Sequence, residues 1–285
     1  MIQWAKHADL TKLTQLVSTY QLDTEYSGYM RLERAHIQKD LETAIANQCV
    51  LMVWHKDQQG ALIGHCDKKR AVCDLAGPYV NNHNLKLGMA LIKHWIALHP
   101  EAHVHQFFFN RHSSYYQTIM NNLNAHFQGY ESILRLDRKA FVSQPKDARV
   151  MPMHPGQKEA VEQLHKTIFP NVYLDAQTLT AIKKDQTVYV ICEDEKVIGY
   201  GLMKVHGSQA SLEVFAIAEA YRGKQLSKPL IHTMIHETLQ DARIKTVQLV
   251  VENINDVALN LYRRIGFTLY RENSSYHLQG QAVSN

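Results

Sequence analysis

SLEVFAIAEAYRGKQLSKPLI (211–231) and QLVVENINDVALNLYRRIGF (248–267) decide the fold. The first begins as an apolar run with a single acid, Glu213, and ends at Ile217 before a turn built on Arg222–Gly223. A helix follows. The second is another apolar run, leading through Asn255 into a helix that carries Tyr262 and closes at Gly266–Phe267. Period-two alternation places Leu212, Val214 and Ala216 on one side of the first strand, with Glu213, Phe215 and Ile217 on the other. Asn255 is a fitting helix cap, and Gly266 a fitting stop.

These residues have chemistry as well as shape. The first amides of a helix lack internal acceptors, so the turn Arg222–Gly223–Lys224–Gln225–Leu226–Ser227 can receive an anion, with two cations beside it. An exposed basic turn is the plain alternative. Glu213 lies among apolar neighbours, where an acid needs a partner or a task. It is either a base that accepts an amine proton or a structural carboxylate paired with a cation. Tyr262 shares a helix side with Ala258 and Leu261, and is either a core phenol or a proton donor in the cleft between strands.

The same pattern occurs earlier in the chain. LMVWHKDQQGALIG, ending at Gly64, and VYVICEDEKVIG, ending at Gly199, each read as a hairpin. CDLAGPYVNNHNLKLGMALIKHWI from Cys73 lines up without gaps against LEVFAIAEAYRGKQLSKPLIHTMI from Leu212, with Asp74 opposite Glu213 and Gly88 opposite Ser227. HVHQFFFN to Asn110 and TVQLVVEN to Asn253 supply a further strand in each half. Residues 9–19 and 157–168 read as helices, the second with Ala160, Val161, Leu164 and Ile168 on one face. A tandem duplication is the reading, with residues 1–142 and 158–285 as domains and the Pro-containing stretch 143–157 as linker, within which residues 149–151 could already form a short strand; a single mixed sheet with chance similarity is the alternative. Hairpins mixed with strand–helix–strand units predict an α+β (mixed α/β) fold, each domain a mostly antiparallel sheet flanked by helices.

Composition narrows the classes. Apolar residues at 45% and charged residues at 20% fit a globular chain, and 31 basic against 27 acidic residues give no concentrated basic face for nucleic acid. A nucleic-acid partner would require Lys68, Lys69, Arg70 and other bases to cluster, which the sequence alone does not show. The first residues carry no apolar leader and no stretch is long enough to span a membrane, so a cytoplasmic location is expected. Cys49, Cys66, Cys73 and Cys192 show no disulfide or ligand spacing and read as small buried side chains; Cys192, with no paired histidine, is a poor nucleophile. The 17 histidines form no strong ligand motif, and no metal is expected.

Residues 187–270 resemble the GCN5-related N-acetyltransferase (GNAT) superfamily, whose members use acetyl-coenzyme A, through the strand–turn–helix, the Asn255–Tyr262 helix and Gly266–Phe267. The resemblance implies that Arg222 opens a pyrophosphate-binding turn continuing through Gly223, Lys224, Gln225, Leu226 and Ser227. It implies that Phe215, Ala216 and Ile217 offer backbone groups to the pantetheine arm, and that Asn255 lies near that arm. It further implies that Tyr262 protonates the departing thiolate and that Glu213 is the base. Two departures stand out: Gln225 replaces the first glycine of the family turn, and Ser227 the second small residue. The first half departs further. His83 stands for the arginine, Lys86 for a glycine, Pro78 removes a strand donor, and Asn110 and Tyr116 match only loosely; a degenerate, structural half is expected. The expected activity is acetyl transfer from acetyl-CoA to a primary amine, on a small molecule or a peptide, in the C-terminal half. Phe169, Pro170, Asn171 and Tyr173 are candidate acceptor-site walls. A non-catalytic module that binds coenzyme A is the alternative.

Overall fold

Tight hairpins set the register of both sheets. The computed structural model describes residues 1–21, 25–30, 34–170, 174–181 and 183–280. Elements run in the order β1 (Gln3–Trp4), α1 (Leu10–Gln21), α2 (Arg34–Ala46), β2 (Val50–His55), β3 (Gln58–Asp67), β4 (Val72–Val80), α3 (Leu85–Leu98), β5 (Val104–Asn110), α4 (Ser114–Asn122) and β6 (His126–Asp137). The order then repeats as β7 (Val150–Pro152), α5 (Lys158–Ile168), α6 (Ala176–Thr180), β8 (Gln186–Glu193), β9 (Lys196–His206), β10 (Gln209–Ile217), α7 (Ser227–Thr238), β11 (Thr246–Glu252), α8 (Asp256–Ile265) and β12 (Thr268–Gln279). In the β8–β9 turn both Asp194 and Glu195 take left-handed φ, 48° and 63°, the backbone that a two-residue hairpin needs to match strand twist.

The chain divides into two compact units, Met1–Glu131 with the residues from Arg271 onward, and Ser132–Tyr270. These limits differ from the boundaries expected at 142 and 158. Each half ends in a strand of 12 residues, and each of these strands is divided between the two units. The last strand of the second half pairs Asn273–Gln279 with Asn110–Val104 of β5, completing the first unit's sheet. Within the expected linker, Val150–Pro152 pairs with Ile191–Tyr189 of β8 and so belongs to the second unit's sheet.

In the first unit the order is β1-β2-β3-β4-β5 followed by the later part of β12. The face bearing α3 and α4 packs Leu62, Leu75, Leu91, Trp95, Phe107 and Tyr116; the other face buries Leu13, Val17, Ile37 and Leu41 from α1 and α2. In the second unit β11, β10, β9, β8 and β7 follow one another, antiparallel except for the parallel β10–β11 pair. Helices α7 and α8 cover one face through Leu230, Ile231, Met234, Leu259 and Tyr262. Helices α5 and α6 cover the other through Val161 and Leu179. On α5 the buried position expected of Ala160 goes to His165, since Ala160 is exposed. His165 Nδ1 lies 2.5 Å from the Tyr200 hydroxyl and Nε2 2.6 Å from the Leu174 carbonyl, so the buried ring is fully partnered.

The reading of the cysteines needs correction. Cys66 and Cys73 are cross-strand partners in the β3–β4 hairpin and form a disulfide. Their separation of seven residues matches no common motif, but the hairpin turn folds it into direct opposition.

Candidate active site

Strand β10 brings most of the candidate residues together, and a bulge governs how it does so. The ladder to β9 pairs Leu212 with Met203 and then Val214 with Leu202, leaving Glu213 as the extra residue. The bulge resets the alternation. Leu212, Phe215 and Ile217 all join the α7–α8 core, whereas Val214 and Ala216 join the α5–α6 core. The simple period-two reading placed Leu212 with Val214 and Ala216, which the bulge overturns.

Glu213 has partners that the sequence reading left unnamed. Its Oε2 lies 3.1 Å from Lys204 Nζ, and Ser211 Oγ donates to its Oε1 at 2.5 Å. Lys204 is the register partner of Ser211 across the β9–β10 hairpin, so counting back through the turn His206–Gln209 was the signal that would have found it. Lys204 alternates with Met203 and Val205 of the α7–α8 core and therefore shares the opposite face, that of α5 and α6. Tyr262 is on the α7–α8 face, 6% exposed, with its ring edge-on to Phe215 at 6.2 Å and to Phe267 at 5.7 Å. Glu213 and Tyr262 thus flank β10 from opposite faces. Burial pushes the Tyr262 phenol well above its ordinary value, so it carries its proton throughout the neutral range. Gly201 makes room here: a Cβ there would meet Met234 Cε at 2.5 Å and crowd the Phe215 Cβ at 3.3 Å.

Beyond the bulge, β10 has a free edge. It pairs with β11 only over Gln209–Ser211, opposite Thr246–Gln248. From Leu212 to Ile217 the ladder to β11 is absent among the described residues, although β10 stays paired to β9 as far as Ile217–Gly199. Two parallel strands that begin together and then part leave a V-shaped opening bordered by unpaired backbone groups.

The turn lies at the end of the same strand. Arg222 Nε donates to the Ile217 carbonyl at 3.2 Å, tying the turn to the strand end, and Lys224 Nζ sits 4.7 Å above the Tyr221 ring. Residues 222–225 are exposed, and α7 has no side-chain cap. The first backbone bond of α7 runs from the Leu230 amide to the Leu226 carbonyl, so the amides of its opening residues face the turn. Gly223 and Gln225 both take left-handed φ, 78° and 58°. Gln225 therefore occupies a position that favours glycine, with its side chain in solvent rather than inside the turn. Asn255 Oδ1 accepts from the Ala258 amide at 3.1 Å and caps α8, as its position predicted; Gly266, φ 110°, ends the helix.

Among the described residues the first unit lacks these openings. Helix α3 is capped by Asn84, whose Oδ1 accepts from the Leu87 amide. The helix starts at Leu85, which aligns with Lys224 in the middle of the other turn. Strand β4 also parts from β5 after Leu75–Phe107, but the gap is filled. Ser27 pairs with Phe109, the Gly28 amide donates to the Phe108 carbonyl, and the Asn110 amide donates to the Tyr26 carbonyl. Of the candidate wall residues, Phe169 packs on the α5–α6 core and Pro170 is exposed, while Asn171 and Tyr173 lie outside the described residues. Cys192 is a buried thiol whose proton affinity burial raises, consistent with a core role.

Residues 158–267 match the model of the Acetyltransferase (GNAT) family. The mycothiol acetyltransferase of Corynebacterium glutamicum (strain R) is 29% identical over 94 residues, 33% of this chain and 32% of that relative. The aligned stretch therefore spans about a third of the relative's length. A GCN5-related N-acetyltransferase from Sphaerobacter thermophilus superposes with a TM-score of 0.72 at 13% identity, covering 98% of this chain and 95% of that one. A tandem GNAT protein from the clavulanic acid biosynthesis pathway superposes with a TM-score of 0.71 at 11% identity, covering 98% and 99%. At such identities these two likenesses are of fold. The family match assigns residues 158–267 to a GNAT domain, and the two superpositions show that the chain has the fold of those proteins over nearly its whole length.

Proposed function

We propose that the chain transfers an acetyl group from acetyl-CoA to a primary amine, at the opening between β10 and β11. The observation that carries this reading is the free edge of β10 from Leu212 to Ile217, leading directly to the exposed, uncapped turn at residues 222–228. The residues fit the co-substrate. The uncapped start of α7 beside Arg222 and Lys224 suits a pyrophosphate, and the strand edge suits the amide-bearing pantetheine arm. Asn255 and the exposed Ile254 and Val257, 87% and 82% accessible, supply polar and apolar surface near the end of β11.

Acetyl-CoA supplies a thioester carbonyl. The amine lone pair forms the C–N bond as the C–S bond breaks, and no protein residue is acylated. Holding both reactants in one cleft contributes much of the rate. A free amide of residues 215–217 polarises the carbonyl. Tyr262 gives its phenolic proton to the leaving sulfur, and Glu213 takes the ammonium proton on the α5–α6 side, directly or through water. The acceptor enters from that side. Its identity does not carry over from the relatives, whose aligned stretch covers a third of the chain.

The Lys204–Glu213 ion pair favours a second reading of one residue, in which Glu213 fixes the bulge and water accepts the proton. Calorimetric titration with acetyl-CoA and free CoA tests the site, alongside thiol release with a panel of amines. Saturable binding lost in Arg222→Glu, with amine-dependent thiol release, is the expected result. Binding by both proteins alike would assign the ligand to another surface.

A further inference from the structure

The first unit gathers a second set of reactive side chains, away from any acyl chemistry. Cys66 and Cys73 face each other across the β3–β4 hairpin, and Cys73 is in turn the register partner of His105 on β5. His99 follows the last turn of α3 and stacks on Trp95 with ring centroids 4.4 Å apart. The two sulfurs and a ring nitrogen of His99 all lie within 4.8 Å of one another. His99 Nδ1 sits 3.2 Å from Glu101 Oε1, while its Nε2 is buried with no partner among the described residues. His105 is fully buried, and neither of its ring nitrogens has a partner among the described residues.

Buried imidazole nitrogens without hydrogen bonds carry a cost unless something binds them. A histidine whose Nδ1 is held by a carboxylate and whose Nε2 is free has the arrangement that orients metal-binding histidines. Two thiolates and one imidazole, with a water in the fourth position, form a tetrahedral set that suits zinc(II). Zinc with Zn–S bonds of about 2.3 Å needs its ligand atoms about 3.8 Å apart, inside the span already present.

We propose that the dithiol form of this chain binds one zinc(II) ion through Cys66, Cys73 and His99, with Glu101 orienting His99 and a water completing the tetrahedron. The disulfide and the metal are alternatives, because the sulfur valences used in the S–S bond are those that the thiolates offer to zinc. Reduction cleaves the S–S bond with two electrons from a phosphine and two protons from solvent, the phosphine leaving as its oxide. Zinc then displaces both thiol protons.

Cobalt(II) titration of the full chain, followed by absorption spectroscopy, tests this. After phosphine reduction the expected result is one equivalent of tetrahedral cobalt with a thiolate-to-cobalt charge-transfer band, removed by one equivalent of zinc. The disulfide form should give no such spectrum, and Cys66→Ser, at a half-buried position, should abolish it. Glu101→Gln, a surface change that leaves folding alone, should weaken zinc about 10-fold. The absence of a tetrahedral spectrum in the reduced chain would overturn the proposal. So would a spectrum that persists when both Cys66 and Cys73 are serine, since Cys49 or Cys192 would then be the ligand. Unchanged zinc affinity in Glu101→Gln would remove the assigned role of that carboxylate.

Discussion

Replacing Tyr262 with Phe removes one oxygen and leaves the ring. The ring is packed edge-on between Phe215 and Phe267 within the α7–α8 core, and those contacts persist in the variant. Losing a hydroxyl from this position changes stability by no more than about 1 kcal/mol. Its effect on turnover is far larger. A positioned proton donor contributes about 10²–10⁴-fold, which corresponds to about 3–5 kcal/mol of barrier. Burial, the cause of the raised phenol affinity, sets the pH dependence. The phenol keeps its proton below its ordinary value of about 10, so turnover shows no alkaline limb from this group below that pH. Stability has the same sign: it is intact below pH about 10 and falls as the pH climbs toward the raised folded value. The assay is steady-state turnover across pH with melting temperatures for both proteins. A Tyr262→Phe enzyme with unaltered melting and turnover within threefold of wild type would show that another group protonates the thiolate.

Further outcomes follow from the same geometry. Gln225→Gly removes a left-handed φ from a residue with a side chain, and chemical denaturation should show a gain of up to about 1 kcal/mol with acetyl-CoA affinity retained. Weaker binding in that variant would instead give the Gln225 amide side chain a direct contact. Cys192→Ala should retain full turnover, because a buried thiol that holds its proton is no nucleophile; a dead but folded variant would contradict this. Gly28→Val should destabilise the first unit by more than about 2 kcal/mol in denaturant unfolding, since its Cβ would sit 2.1 Å from Phe108 Cδ1. A neutral result there would mean that residues 26–28 do not close the gap beside β5.

Much of this was legible in the sequence because local rules and tertiary structure agree. Asn255, Gly266 and the two hairpins obey capping and turn chemistry that needs no distant partner, and they appear where the residues put them. What stayed hidden depends on register. The bulge at Glu213 inverts the face of every residue after it, and alternation alone cannot reveal one extra residue in the strand. Lys204 became a partner only once the hairpin register was fixed. Cys66 and Cys73 are remote by motif and adjacent by pairing. The division of β6 and β12 between the units was illegible for a different reason: a 12-residue strand has the same pattern whichever unit its ends belong to. The filled gap beside β5 rests on the residues around Ser27, which carry no strand signal of their own.

Hydrogen–deuterium exchange on the intact chain, with and without acetyl-CoA, is the most direct test of where the co-substrate sits. The account predicts new protection concentrated at residues 212–217 and 223–228, with residues 84–88 of the first unit unchanged. Protection centred on the first unit, or none at saturating acetyl-CoA, would contradict it.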